Sequence, residues 1–194
     1  MDARIKSLNL RRRSRCLDIT TFVILLIIFF LLTRTEEVLP SPIPWEVRVF
    51  LDRIKPYEDY IQAEAKINTI DPNLIRALIW QESSGKADVK TYEGNPDWYN
   101  GKSLYSYGLC GLTLPAAEDM GYTGKEEDLI KPDINIKYAV KYLRHQINRY
   151  DGDVSKGLVA YNAGHWTGNY SYANLVWKKM KKIQDALASK YKEV

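Results

Sequence analysis

The chain has 194 residues, enough for one globular domain with an appended segment. Its formal net charge of +4 is uneven: residues 1–35 hold seven Lys/Arg against two Asp, and the remainder holds 21 basic against 22 acidic residues. The basicity therefore belongs to the N-terminal segment, and the rest carries no nucleic-acid footprint.

Residues 1–15 form a short basic segment. From Phe22 to Leu32 the chain is an unbroken apolar run, and with Cys16, Leu17 and the flanking threonines it approaches the ~20 residues that cross a bilayer. No small-x-small cleavage site follows, since Thr33-Arg34-Thr35-Glu36-Glu37 is a poor substitute. Residues 16–33 thus read as one uncleaved transmembrane signal anchor. The arginines before it place the N-terminus in the cytoplasm and the remainder outside. Pro40, Pro42 and Pro44 mark 34–44 as a semi-rigid linker. The folded domain then spans 45–194.

Val47, Phe50, Ile54, Tyr57 and Ile61 recur at helical spacing, predicting a helix over about 45–66 that is interrupted at Pro56. The next helix has both ends marked. Asp71 can accept from the free amides of the first turn, Pro72 suits the first helical position, and Gly85 supplies a left-handed terminator. Its Leu74–Leu78 row, extended by four residues, arrives at Glu82. A carboxyl on the core-facing row at a helix C-terminus is disfavoured as an anion, which suits a general acid working near neutral pH.

Residues 85–107 form a long polar and aromatic connection with turn signals at Gly94-Asn95-Pro96-Asp97 and Asn100-Gly101, read as a functional loop or a small hairpin. Ser106-Tyr107-Gly108-Leu109-Cys110-Gly111 follows, then a short helix over Pro115–Met120. Pro132 opens a strong helical pattern that ends at Asp151-Gly152. Asp153 caps a short helix through Leu158 and Tyr161 that stops at Gly164, and a last amphipathic helix covers about 171–190. No strand series or repeat stands out, so the fold class is mainly α. Two cysteines exclude a disulfide framework, and Cys110 reads as a small buried residue. His145 and His165 do not form a metal-binding pair and read as surface or structural residues. No metal or other cofactor is expected.

Three separated pieces carry the chemistry: Glu82-Ser83 at a helix end, Ser106-Tyr107-Gly108-Leu109, and Ala160-Tyr161-Asn162-Ala163-Gly164. In this order they resemble the soluble-lytic-transglycosylase (SLT) type of lytic transglycosylase, glycoside hydrolase family 23, related to goose-type lysozyme. Ile70-Asp71-Pro72-Asn73-Leu74, Pro115-Ala116-Ala117 and the Pro132-Asp133-Ile134-Asn135-Ile136 to Tyr142-Leu143 stretch extend the resemblance. It implies a lysozyme-like helical domain and one catalytic residue, Glu82. That residue would protonate the bond between N-acetylmuramic acid and N-acetylglucosamine in peptidoglycan, then deprotonate the muramic 6-hydroxyl to leave a 1,6-anhydro sugar. A second carboxylate is then not required, unlike in the two-carboxylate glycosidases.

The resemblance further implies that Ser83, Ser106, Tyr107, Gly108, Leu109, Tyr161 and Asn162 border the sugar site, with the Tyr161 hydroxyl bonded to Glu82. For Asn162 a helix-terminal bond to backbone is the simpler reading. One departure stands out: the family's glutamine is replaced by Gly111. The alternatives are a hydrolytic lysozyme, with Glu93 or Asp97 as second carboxylate, and a weakly catalytic glycan-binding scaffold of an envelope machine.

Overall fold

The computed structural model describes residues 23–24 and 43–190. The chain divides into two units, Met1–Ser41 and Pro42–Val194, and the elements below belong to the second. Among the described residues, no helix is long and apolar enough to cross a membrane. Apart from Val23 and Ile24, the expected anchor at 16–33 lies outside the described residues, as do residues 1–15 and most of the 34–44 linker.

The expected first helix is three pieces: α1 (Trp45–Ile54), a 3-10 turn (Lys55–Tyr57) and α2 (Glu58–Asn68). Pro56 sits in that turn, where it cannot serve as an interior donor. Thr69 closes α2 in the left-handed region, and the Arg144 guanidinium donates to the exposed carbonyls of Asn68 (2.7 Å) and Thr69, offsetting the negative helix end.

Central to the core is α3 (Pro72–Ser83). Asp71 accepts from the Asn73 amide at 2.8 Å and Pro72 opens the helix, as the sequence predicts. Leu74, Ile75, Ala77, Leu78 and Ile79 are all buried. Apolar residues on every side of the helix mean that neighbours surround it. Its left-handed cap is Ser84, at φ 54°, one residue earlier than the expected Gly85, which follows at φ 79°.

The 85–107 connection resolves into a hairpin. Strand β1 (Lys90–Gly94) pairs antiparallel with β2 (Leu104–Tyr107), which pairs with the two-residue β3 (Leu112–Thr113). No strand series is legible here in sequence because β1 has no apolar alternation: four of its five residues are exposed. The register jumps between Tyr92 and Gly94, so Glu93 occupies a β-bulge. Bulges re-aim side chains, and this one turns Glu93 toward β2.

The remaining helices follow the sequence pattern: α4 (Leu114–Asp119), α5 (Pro132–Arg149), α6 (Val154–Ala163) and α7 (Ser171–Lys190). Asp153 caps α6 by accepting from the Lys156 amide at 3.0 Å. α7 packs along α3, and α5 packs against α2 and α6, so the fold is mainly α with a small sheet at one side.

Candidate active site

A cleft of about 520 Å³ opens between the ends of these elements. Glu82 from α3 and Glu93 and Trp98 from the hairpin line it, with Ser106 and Gly111 behind them. Tyr142, His145 and Arg149 from α5, and the Tyr161–His165 run that ends α6, form its other side.

Glu82 is half-buried in the last turn of α3. Burial is the main cause that pushes its carboxyl pKa up, to about 7. A hydrogen bond from the Tyr172 hydroxyl acts in the opposite direction by favouring the anion, Glu93 adds a raising contribution, and Lys179 a lowering one. Lys179 lies on α7 and donates to the Gln81 side chain at 2.6 Å. A carboxyl titrating near 7 is populated as both acid and base at neutral pH, as proton shuttling requires.

The tyrosine that reaches Glu82 is Tyr172, not Tyr161. The Tyr161 hydroxyl donates instead to the Cys110 carbonyl at 2.7 Å, and its ring packs 5.5 Å from that of Tyr142. The reason is position: Tyr161 sits on α6 facing the 108–111 turn, whereas Tyr172 is on the first turn of α7, the helix that lies along α3. Tyr172 is 90 residues from its partner in sequence and belongs to an apolar row, so its pattern marks it only as core.

The residues expected around the sugar site separate into two groups. Ser106, Tyr161 and Asn162 line the cleft. Ser83, Tyr107, Gly108 and Leu109 do not; they form the buried support behind it. The Ser83 hydroxyl bonds the Leu109 carbonyl at 2.8 Å and accepts from the Gly85 amide at 3.1 Å, tying the helix end to the turn. The Tyr107 hydroxyl donates to Glu126 at 2.9 Å. Asn135, fully buried on α5, holds the same turn with all its polar atoms: its amide donates to the carbonyls of Tyr107 (2.7 Å) and Leu129 (2.8 Å), and its oxygen accepts from the Cys110 amide (2.8 Å). Gly108, at φ 69°, packs so closely on Asn135 that a Cβ there would lie 2.7 Å from its nitrogen.

Gly111 is pressed against the acid in the same way. It has φ 61°, and a Cβ would meet the Glu82 carboxyl oxygen at 2.6 Å. The carboxyl therefore occupies the space where a glutamine side chain at 111 would begin. Cys110 is buried, and burial pushes its thiol pKa upward, so it has no thiolate character.

Glu93 accepts from the Ser106 hydroxyl at 2.5 Å and faces the cleft. Asp97, the other carboxylate proposed for a hydrolytic site, is not among the lining residues. Neither histidine is a structural core residue; both are exposed and both line the cleft. Among the described residues, no group of three or more His, Cys, Asp or Glu could hold a metal ion.

The chain is 27% identical over 111 residues to "Peptidoglycan transglycosylase gp16" of Escherichia phage T7, a match covering 56% of this chain and 8% of that protein. It is 28% identical over 151 residues to "Membrane-bound lytic murein transglycosylase F" of Aeromonas hydrophila subsp. hydrophila, covering 73% of this chain and 27% of that one. The chain thus matches only a minor part of either relative's length. A crystal structure of an inactive mutant of lytic transglycosylase Slt from Pseudomonas aeruginosa aligns over 68% of this chain and 22% of its own, with 20% identity and a TM-score of 0.45. The family model described as the transglycosylase SLT domain matches residues 59–184, nearly the whole folded unit and most of the chain, and the protein belongs to that family.

Proposed function

We propose that this protein is a membrane-anchored peptidoglycan lytic transglycosylase. It cleaves the β-1,4 bond between N-acetylmuramic acid and N-acetylglucosamine, with Glu82 as general acid and then general base. The observation that carries the reading is the state of Glu82: a carboxyl at a helix end in an open cleft, held by Tyr172, with its pKa raised to about 7. Protonated Glu82 delivers its proton to the glycosidic oxygen as the bond to the anomeric carbon breaks. The resulting carboxylate accepts the proton of the muramic 6-hydroxyl while that oxygen bonds the anomeric carbon. The acid is regenerated, water is not consumed, and the sugar leaves as its 1,6-anhydro form.

Both curated relatives carry names that fit this activity, one as a peptidoglycan transglycosylase and the other as a membrane-bound lytic murein transglycosylase. The anchor rests on the apolar run within 16–33 and the arginines before it, which would hold the domain at the outer face of the cytoplasmic membrane. A second reading, hydrolysis, draws support from Glu93, whose bulge turns it into the same cleft, where it could activate water. Digestion of purified peptidoglycan by the full-length protein separates the two. The transglycosylase reading expects muropeptides ending in anhydro sugars, each one water lighter than the hydrolytic product. Reducing ends in their place would assign the activity to hydrolysis through Glu93.

A further inference from the structure

The part of the cleft lined by α5 and by the end of α6 has a different chemistry. His145 and Arg149 project from one face of α5, four residues apart, and His165 follows the Gly164 cap of α6; all three line the cleft. Arg149 is fixed before any ligand arrives. Its Nη1 donates to the Gln146 side chain at 2.7 Å and to the Gly164 carbonyl at 3.0 Å, and the guanidinium lies 5.7 Å from the centre of the Tyr150 ring. The Tyr150 hydroxyl in turn accepts from the Trp166 amide at 2.7 Å, which holds the segment carrying His165.

A guanidinium has five N–H donors. Nη1 uses both of its own, so the Nε–Nη2 edge has no hydrogen-bond partner among the described residues, and Arg149 forms no salt bridge there. That edge is the fork that pairs bidentately with a carboxylate. Asp119 on α4 is the acidic group of the lining that shares Tyr142 with Arg149 as a neighbour.

We propose that this end of the cleft is a carboxylate subsite in which Arg149, flanked by His145 and His165, takes a free carboxylate of the peptide stems borne by the glycan strand. The proposal rests on the peptidoglycan reading above. The hexosamine rings of that polymer carry no ionised group, whereas the stems attached to its muramic lactyl groups carry several carboxylates. A preorganised guanidinium with an open fork therefore selects strands that bear stems over bare neutral chains.

The experiment compares kcat/KM of the full-length protein on native peptidoglycan strands and on the same strands with their stem carboxylates converted to amides. The wild type is expected to prefer the native strands by roughly tenfold, the effect of one charge-assisted pair. In Arg149→Gln the ratio should fall to within about twofold of one, and in Arg149→Lys, which keeps the charge and loses the fork, it should lie between. Each protein is its own reference, so a general loss of activity or stability cancels. An equal rate on the two substrates in the wild type, or a tenfold preference surviving in Arg149→Gln, overturns the subsite.

If the wild type cleaves neither substrate, it is the transglycosylase reading that fails. Titration of the full chain with a soluble disaccharide-peptide and its amidated form then decides the subsite alone. Tighter binding of the free acid supports it, and equal binding overturns it.

Discussion

Glu82 stands on a wall made by α3 and α7, whereas Glu93 and Trp98 face it from the β1–β2 hairpin. The helical wall is deep. Its backbone is surrounded by Leu74, Ile75, Leu78 and Ile79, its acid is gripped by a tyrosine from a second helix, and the turn beside it is clamped by Asn135. The hairpin wall is shallow: Trp98 is 67% exposed, Tyr92 is 57% exposed, and the strand that carries Glu93 is held by backbone pairing around a bulge. Under the proposed function, charge moves where the surroundings cannot relax, and long strands are met where side chains remain adjustable.

The largest separation of the two walls comes from Glu82→Gln. The amide is close in shape but delivers no proton, so turnover should fall by roughly 10²–10⁴-fold. The same variant should change stability in a pH-dependent direction. The folded carboxyl titrates at about 7 against 4.5 for its ordinary value, so between those pH values the folded state holds a proton that the unfolded state has lost. Wild-type stability therefore falls as pH rises from about 4.5 to about 7, and Glu82→Gln is freed from that fall. Melting curves of both proteins across this window check it: the variant's advantage should grow with pH. A constant difference would mean that Glu82 is not buried as described.

Asn135→Ala should have the next largest effect, on stability. It strands the Tyr107 and Leu129 carbonyls and the Cys110 amide, at about 1–3 kcal/mol for a buried group left unpaired, so a loss of roughly 3 kcal/mol or more is expected by chemical denaturation. A change under about 1 kcal/mol would show that water readily replaces the clamp.

Tyr172→Phe tests the grip on the acid. Losing a hydrogen bond to an ionisable partner costs about 1–3 kcal/mol, which is roughly 5- to 150-fold in rate if the loss falls on the transition state. That bond favours the anion, so its loss should also move the alkaline limb of the rate profile to higher pH. Glu93→Gln removes a contribution of the opposite sign and should move the limb lower. Tyr161→Phe, whose hydroxyl serves the Cys110 carbonyl, should lower the unfolding midpoint and leave the limb in place. A limb shift from Tyr161→Phe in place of Tyr172→Phe would reverse the assignment of the two tyrosines.

The smallest effect belongs to the exposed wall. Trp98→Ala should leave stability within about 0.5 kcal/mol of wild type, as surface substitutions do, while raising KM for long strands more than for short ones. Equal KM changes for all lengths would show that Trp98 does not contact the extended chain.

The same contrast explains what could be read from the sequence. The α3 helix was legible because its signals are local: Asp71 and Pro72 mark its start, and the Leu74–Leu78 row leads to Glu82. The family motifs extended this to the turn and to the end of α6. Local pattern could not assign Tyr172 or Asn135, because their contacts lie 90 and up to 28 residues away, and in sequence one reads as core and the other as part of a family motif with no role attached. Nor could it tell which tyrosine reaches the acid, since that depends on α7 lying along α3. The hairpin is legible only as the alternative to a loop, because the exposed residues Lys90, Thr91 and Tyr92, which pair with β2, show no apolar alternation.

The most direct test of the account is the titration of the Glu82 carboxyl itself, followed by NMR in the full-length protein carrying isotope-labelled glutamate, with Glu82→Gln used to assign the signal. The account predicts a midpoint near 7, rising further in Tyr172→Phe. A midpoint at the ordinary carboxylate value of 4.5, unmoved by Tyr172→Phe, would contradict it and leave the cleft without its acid.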